Sequence, residues 1–284
     1  RQSMRMEFRD DQGGEFRISL EDLAYLIIDT PEVALSSTIL SQLSENSVLV
    51  VGVNARHLPV WSALPWTSFH KHGEVLPLQI QASLPLKKQL WTAIIFQKLR
   101  IQAECLDLCG RDGGDQIRAM GQHLRSGDPD NTEARAARAY WSYLFNDRSF
   151  RRHDEDLPNA MLNYGYAILR AALARLLCGV GFIPQLGLHH DSQTNAFNLA
   201  DDLLEPYRPW VDRRVVRELG NTSSEIDFGT QHRRSIAPIL ETTVEFNGEE
   251  YGMLAALEVT VASLKSALQE KEPTRLRYPD RLLA

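Results

Sequence analysis

A small β-rich segment followed by a larger, mainly α-helical segment, an α+β multidomain arrangement, is the fold class this sequence predicts. Three observations carry it. Over the first sixty residues, apolar side chains alternate or run in short blocks bounded by turn residues, which is the pattern of strands. From Leu86 onward they recur at the spacing of a helix that buries one face. Between the two lies Leu58 to Pro85, where Pro59, Pro65, Pro77 and Pro85 stand among histidines and aromatics, a composition that reads as a connector. At roughly 150 residues per domain, the 284 residues suggest about two domains, placed at 1–78 and 79–284.

Taken in order, Met4 to Phe8 and Glu15 to Leu20 alternate around Asp11-Gln12-Gly13-Gly14 and predict a hairpin. Leu23 to Ile28 is an apolar run closed by Asp29-Thr30-Pro31 and predicts a buried strand. Ser36 to Leu43 predicts a helix with Ile39, Leu40 and Leu43 on one face, and Val48 to Val53 a second buried strand. In the second domain Leu90, Ile94, Ile95 and Leu99 form one helical stripe; Ala134–Phe145, Met161–Leu177, Asn195–Leu204 and Met253–Leu268 form others. Within this helical part, residues 243–251 carry Asn247-Gly248 between short apolar-polar alternations, the signature of a tight hairpin. The chain opens on Arg1, not Met, with strand-like residues, which implies that the native protein begins upstream.

Thirty-one Lys and Arg against 37 Asp and Glu give a net charge of −6, so the chain as a whole is no basic nucleic-acid coat. Any such site must be a local patch. Hydrophobic residues at 43% and charged residues at 24% are ordinary for a folded soluble protein and argue against disorder. The most apolar stretch, Ala167 to Ile183, is broken by Arg170 and Arg175, which argues against a membrane span. Three cysteines without a CxxC and no leader-like opening point to a reducing, cytoplasmic setting.

No phosphate-binding glycine loop, nucleophile elbow or zinc-type spacing occurs; Gly113-Gly114 lacks the lysine of such a loop, and Cys105 and Cys109 read as small core residues. Asn198, Asp202 and Glu205 stand at i, i+4 and i+7, on one helical face. That face is either a solvated acidic stripe or, with His189-His190 just ahead of it, a metal cradle; imidazole and carboxylates suit Mn²⁺, Mg²⁺ or Zn²⁺. Glu133 opens a helix, where an acid also complements the helix dipole. Around it Arg135, Arg138, Arg148, Arg151 and Arg152 outnumber Glu133 and Asp147, with Tyr140, Trp141 and Tyr143 interleaved. This is either a phosphate-binding surface or a solvated arginine face whose aromatics turn inward.

Four segments in this order, EARAARAYW at Glu133, PNAMLNYGYAILRAAL at Pro158–Leu173, PQLGLHH at Pro184–His190 and NAFNLADDLLEPYRP at Asn195–Pro209, closely resemble the CRISPR adaptation integrase family. The wording of the last two is similar to the subgroup of type II systems. The resemblance implies that Glu133, His190 and Glu205 bind a catalytic Mg²⁺ or Mn²⁺, with Asp202 a further acid beside them and His189 the neighbour of the ligand histidine. Many relatives carry Asp where this chain has Glu205.

The reaction so implied is attack of a DNA 3′-hydroxyl on a phosphodiester at the edge of a CRISPR repeat, with the repeat strand's old 3′-oxygen leaving in line and no covalent protein intermediate. The resemblance further implies DNA contacts at Arg135, Arg138, Asn163, Tyr164 and Arg208. The partners it implies are double-stranded DNA, as spacer precursor and leader-repeat, and a second copy of the chain in a symmetric homodimer, two of which clamp a dimer of a small companion adaptation protein. The type II effector nuclease and accessory adaptation proteins are further candidates. Two other readings use the same residues: a metal-dependent endonuclease with water as nucleophile, and a non-catalytic DNA-binding scaffold.

Overall fold

Strand β4 (Leu49–Val53) joins the two parts of the molecule, because its alternating side chains enter two different cores. In the computed structural model, which describes residues 5–9, 15–30, 33–46, 48–55, 59–63, 72–152, 154–220 and 228–283, all five β4 positions are buried. Val48 and Val50 pack with Leu20, Ile28 and Leu43 in a small N-terminal cluster, whereas Leu49 and Val51 enter the large helical core with Val75.

The N-terminal elements form by the expected local rules. Strands β1 (Arg5–Arg9) and β2 (Glu15–Ser19) pair antiparallel, Arg5 opposite Ser19 and Arg9 opposite Glu15. The turn expected at 11–14 lies outside the described residues. Strand β3 (Tyr25–Ile28) pairs in parallel with β4, so the chain must cross over between them, and α1 (Ser37–Glu45) supplies the crossover. Ser36 caps this helix, its hydroxyl accepting from Ile39 N at 3.2 Å. Leu43 is buried and Ile39 partly so, but Leu40 is 39% exposed, which corrects its expected place on the apolar face. Likewise only Ile28 of β3 is fully buried.

The connector expected at 58–85 contains two regular elements. Strand β5 (Pro59–Ala63) pairs antiparallel with β4 as an edge strand, and its proline stands first, where a missing ladder N–H is tolerated. Helix α2 (His72–Gln81) accommodates Pro77 and runs across the boundary expected at 78/79. Burial of Val75 and Gln79 against the helical core outweighs the single backbone bond that Pro77 removes.

Beyond it, α3 (Leu84–Leu108) starts at the Ser83 cap with Pro85 in its first turn and buries Leu90, Ile94, Ile95 and Leu99. Helices α4 (Gly114–Gln122) and α5 (Thr132–Leu144) pack on it. Helix α6 (Leu157–Val180), capped by Asp156 and stopped by Gly181 at φ 107°, is apolar on most faces and forms the centre of the domain. Around it lie α7 (Asn198–Leu204), a single 3₁₀ turn over Glu205–Tyr207, α8 (Arg208–Gly220), α9 (Thr230–Ile236) and α10 (Met253–Glu270). Strands β6 (Thr243–Phe246) and β7 (Glu249–Gly252) close through Asn247 and Gly248, both at positive φ, as the hairpin signature requires. Among the described residues no helix is long and apolar enough to cross a membrane.

Candidate active site

Lys98 lies on the buried stripe of α3, four residues after Ile94, and is 5% exposed. A buried ammonium must be paired. Its Nζ stands 2.5 Å from Glu133 Oε1 and 2.6 Å from Glu205 Oε2, so two acids from distant helices converge on one cation. Glu133 is brought there by the start of α5, which is capped not by Asn131 but by Asp128: its carboxylate accepts from Thr132 N at 2.8 Å and Glu133 N at 2.9 Å. Glu205 is aimed by the 3₁₀ turn between α7 and α8, and Arg208 Nε donates to its Oε1 at 3.0 Å. Burial pushes the Glu205 carboxyl up, but Arg208 and then Lys98 outweigh it and hold the group at about 2.

Asp202, one turn earlier on α7, has a different task. It is fully buried and accepts from Leu188 N at 2.6 Å, and from His189 N and His190 N at 3.1 Å. The same carboxylate meets His190 Nδ1 at 2.7 Å. Asp202 stands beside the proposed ligands, as the resemblance implies, and in this structure its oxygens hold the loop and the imidazole ring. With Nδ1 turned to a carboxylate, the neutral ring keeps its lone pair on Nε2, the arrangement that prepares a histidine to bind a metal. The bond to Asp202 raises the His190 pKa above its usual value against the opposing effect of burial, with the charges of Asp202, Glu205 and Asp201 adding to it.

The loop is held at other points too. Asn198 Nδ2 donates to Gln185 O at 3.0 Å and Ser192 O at 2.9 Å, and Gln79 Nε2 to Ile183 O and Leu186 O at 2.9 and 2.7 Å. A Cβ on Gly187 would stand 2.2 Å from His190 O, so only glycine allows this close return. His189 stacks on Trp91 with ring centres 4.0 Å apart and planes 4° off parallel, which separates the two histidines: one is packed, the other faces a cleft of about 620 Å³. Asn198, Asp202 and Glu205 are all buried, so the solvated acidic stripe does not describe this face.

As arranged, among the described residues no three His, Cys, Asp or Glu side chains enclose a common point, and the ammonium of Lys98 lies where the two glutamates meet. The donor set still fits a hard divalent cation. Two carboxylates meet at one cation, a prepared imidazole nitrogen lies near enough to feel the charge of Glu205, and Glu205 Oε2 is buried without a directed hydrogen bond, Lys98 approaching it as an ion pair only.

The residues expected to touch DNA separate into two groups. Arg135 and Arg138 on α5 and Asn163 on α6 are exposed. Arg208 is a quarter exposed and lies 4.6 Å over the Tyr166 ring. Tyr164 is 1% exposed and packs against Phe228, so it belongs to the core and is withdrawn as a surface contact. Tyr140 is in the core and Trp141 packs on Phe145 and Phe150, so the aromatics of the arginine-rich segment turn inward. Arg152 lies over Trp141 and Tyr166 and donates to Asn163 Oδ1 at 2.9 Å.

Sequence reasoning missed Lys98, Trp91, Gln79 and Asp212. Lys98 had a signal, a charge on an apolar helical stripe. The fully buried Asp212 accepts from the Tyr140 hydroxyl at 2.8 Å and from that of Tyr166, contacts that only the tertiary structure creates.

The model of the family described as CRISPR associated protein Cas1 matches residues 1–237. The chain is 37% identical over 273 residues, 95% of its length and 89% of the relative's, to the CRISPR-associated endonuclease Cas1 of Neisseria meningitidis serogroup C (strain 8013). Its fold is similar to a Cas1 protein from Thermotoga maritima, with TM-score 0.74 at 17% identity over 95% of this chain and 93% of that one. It is also similar to a casposase bound to integration product, with TM-score 0.67 at 19% identity over 95% and 87%. A chain of a partial Cas6-RT-Cas1–Cas2 complex gives TM-score 0.65 at 17% identity over 98% and 94%.

Proposed function

We propose that this chain, which belongs to the Cas1 family of CRISPR-associated proteins, joins the 3′-hydroxyl ends of new spacer DNA to repeat phosphodiesters of a CRISPR array. One observation supports this above the others: Glu133 and Glu205 converge on one buried cation beside a histidine whose ring is oriented by Asp202. Glu133, His190 and Glu205 are the residues that would hold Mg²⁺ or Mn²⁺, which acts as a Lewis acid toward charge developing on phosphate oxygens.

The chain's own groups prepare that site. Arg208 and Lys98 keep Glu205 ionised in a buried setting, so that it offers charge at any physiological pH. Asp202 fixes the imidazole tautomer and the path of the loop. The exposed guanidiniums of Arg135 and Arg138 project from the helix whose first turn carries Glu133 and provide phosphate contacts beside it. With a net charge of −6 DNA binding rests on local clusters of positive charge such as this one, so it weakens steeply with salt. Insertion of both fragment ends at a fixed spacing needs two such sites, which two homodimers clamping a dimer of a small companion protein supply; a solved relative is described in complex with Cas2.

The test is strand transfer of a short duplex into a supercoiled plasmid bearing a leader and repeat, with Mg²⁺ or Mn²⁺ and the companion protein. Site-selective joining that vanishes in His190→Ala and Glu133→Ala, and with a 3′-blocked fragment, is the expected result. Cutting that survives the blocked end points to hydrolysis by water. Retained joining in Glu133→Ala overturns the site.

A further inference from the structure

Helix α8 has two opposite faces with separate roles. Arg208 turns toward Glu205, Asp212 toward Tyr140 and Tyr166, and Val215 into the core, while Trp210, Arg213, Arg214 and Arg217, at i, i+3, i+4 and i+7, line a separate cavity of about 350 Å³. Its other walls are Ser235, Thr242 and Thr243 together with Leu282 and Leu283 near the end of the chain.

Three guanidiniums meet one carboxylate in this lining, Glu218, which already has a partner of its own. Two of the guanidiniums are held in place by the surrounding backbone. Arg213 donates to Leu283 O, and Arg214 donates through Nε to Ser235 O and through Nη1 to Thr242 Oγ1 at 3.4 Å. These bonds use a minority of the five N–H groups that each guanidinium carries. Arg217 is exposed and, among the described residues, has no hydrogen-bond or ion-pair partner. Trp210 is 4% exposed, and its indole N–H is buried with no acceptor. A buried orphan donor costs free energy that an acceptor in the cavity would recover. Burial and then the charge of Arg217 pull the Arg214 pKa down, against the opposing charges of Glu241, Tyr25 and Glu218.

We infer that this cavity is a second anion site, built for a phosphate ester and separate from the Glu133–His190–Glu205 centre. Forked guanidiniums match the several oxygens of a phosphate group better than any single-point cation. The volume falls at the lower end of ligand pockets, about 300–1,000 Å³. That is room for a phosphate and the sugar that carries it, where a lone carboxylate would leave donors unmet. The ester is either that of a free nucleotide or one in a DNA backbone.

The inference does not depend on the metal-site reading, and its test uses a signal within the cavity. The indole N–H resonance of Trp210, identified by its loss in Trp210→Phe, is followed in the full chain by ¹H–¹⁵N NMR at constant ionic strength. Inorganic phosphate, a nucleoside 5′-monophosphate and a short duplex are titrated in turn. A saturable shift is expected, with binding weakened about tenfold in Arg217→Gln, weakened further with Arg213→Gln, and unchanged in Glu133→Gln. A shift with the nucleotide assigns a free ligand as the source; a shift with the duplex alone assigns backbone phosphate. No shift with any of the three, or an equal shift with chloride, overturns the inference. A response to a poly-glutamate peptide but to no phosphate also overturns it, in favour of an acidic protein partner.

Discussion

Glu205 and Asp212 lie seven residues apart, both buried at 6% and 0% exposure, and their surroundings drive them in opposite directions. Glu205 has Arg208 and Lys98 beside it and is held at about 2 despite burial. Asp212 receives mainly tyrosine hydroxyls, so burial prevails over those bonds and over the more distant Arg152 and Arg208, and its carboxyl is raised to about 6. Burial alone would have made both reluctant to ionise; the nearby cations decide which one is a permanent charge. Glu205 is therefore equipped to attract a metal, and Asp212 to tie α5, α6 and α8 together.

The largest effect is expected from removing the ionised member. Glu205→Ala leaves Lys98 buried with one partner where it had two; strand transfer should vanish and urea denaturation should show a loss of about 3 kcal/mol. Asp202→Ala comes next. It removes the acceptor of three backbone N–H groups and of the His190 ring, and a loss of about 2–3 kcal/mol is expected. NMR titration of the metal-free protein should then place the His190 pKa below that of the wild type. Because that pKa is raised in the folded state, its stabilising effect is complete below about 6.5 and fades as pH rises through the raised value.

Asp212→Asn sharpens the contrast through pH. A carboxyl raised from 3.8 to about 6 stabilises fully below 3.8 and loses that effect as pH rises through about 6. Wild-type stability should therefore fall by about 2–3 kcal/mol between pH 4 and 7 relative to the variant, read from denaturation midpoints, with strand transfer retained. Glu205 has the reverse sign: its contribution is present above 4.5 and lost as pH falls through about 2. The smallest effect belongs to the exposed cations. Arg135→Ala and Arg138→Ala should leave stability within about 0.5 kcal/mol and each reduce the salt slope of DNA binding by about 1.

The same contrast shows what could be read in the sequence. Helices whose apolar residues follow one stripe, such as α3 and α10, were legible from spacing, α6 from its long, nearly continuous apolar run, and the hairpin at Asn247-Gly248 from its turn residues. Helix α2 was hidden by Pro77, which local rules read as a break although burial of Val75 holds the helix. At the site, the motifs picked out Glu133, His190 and Glu205, but not the distances that relate them. A residue's role here depends on what faces it across the fold. Asp202 resembles a ligand by spacing and serves as a brace, Lys98 falls on an apolar stripe and is the buried cation, and Tyr164 lies inside a DNA-contact motif and fills the core.

The most direct measurement is Mn²⁺ binding to the full chain, followed by electron paramagnetic resonance, in the wild type and in single variants. One Mn²⁺ per chain is predicted, weakened at least about tenfold by Glu133→Gln, His190→Ala or Glu205→Gln and unaffected by Asp212→Asn. Affinity that persists in Glu205→Gln and drops in Asp212→Asn would contradict the assignment of the ionised carboxylate to the metal and the raised one to the scaffold.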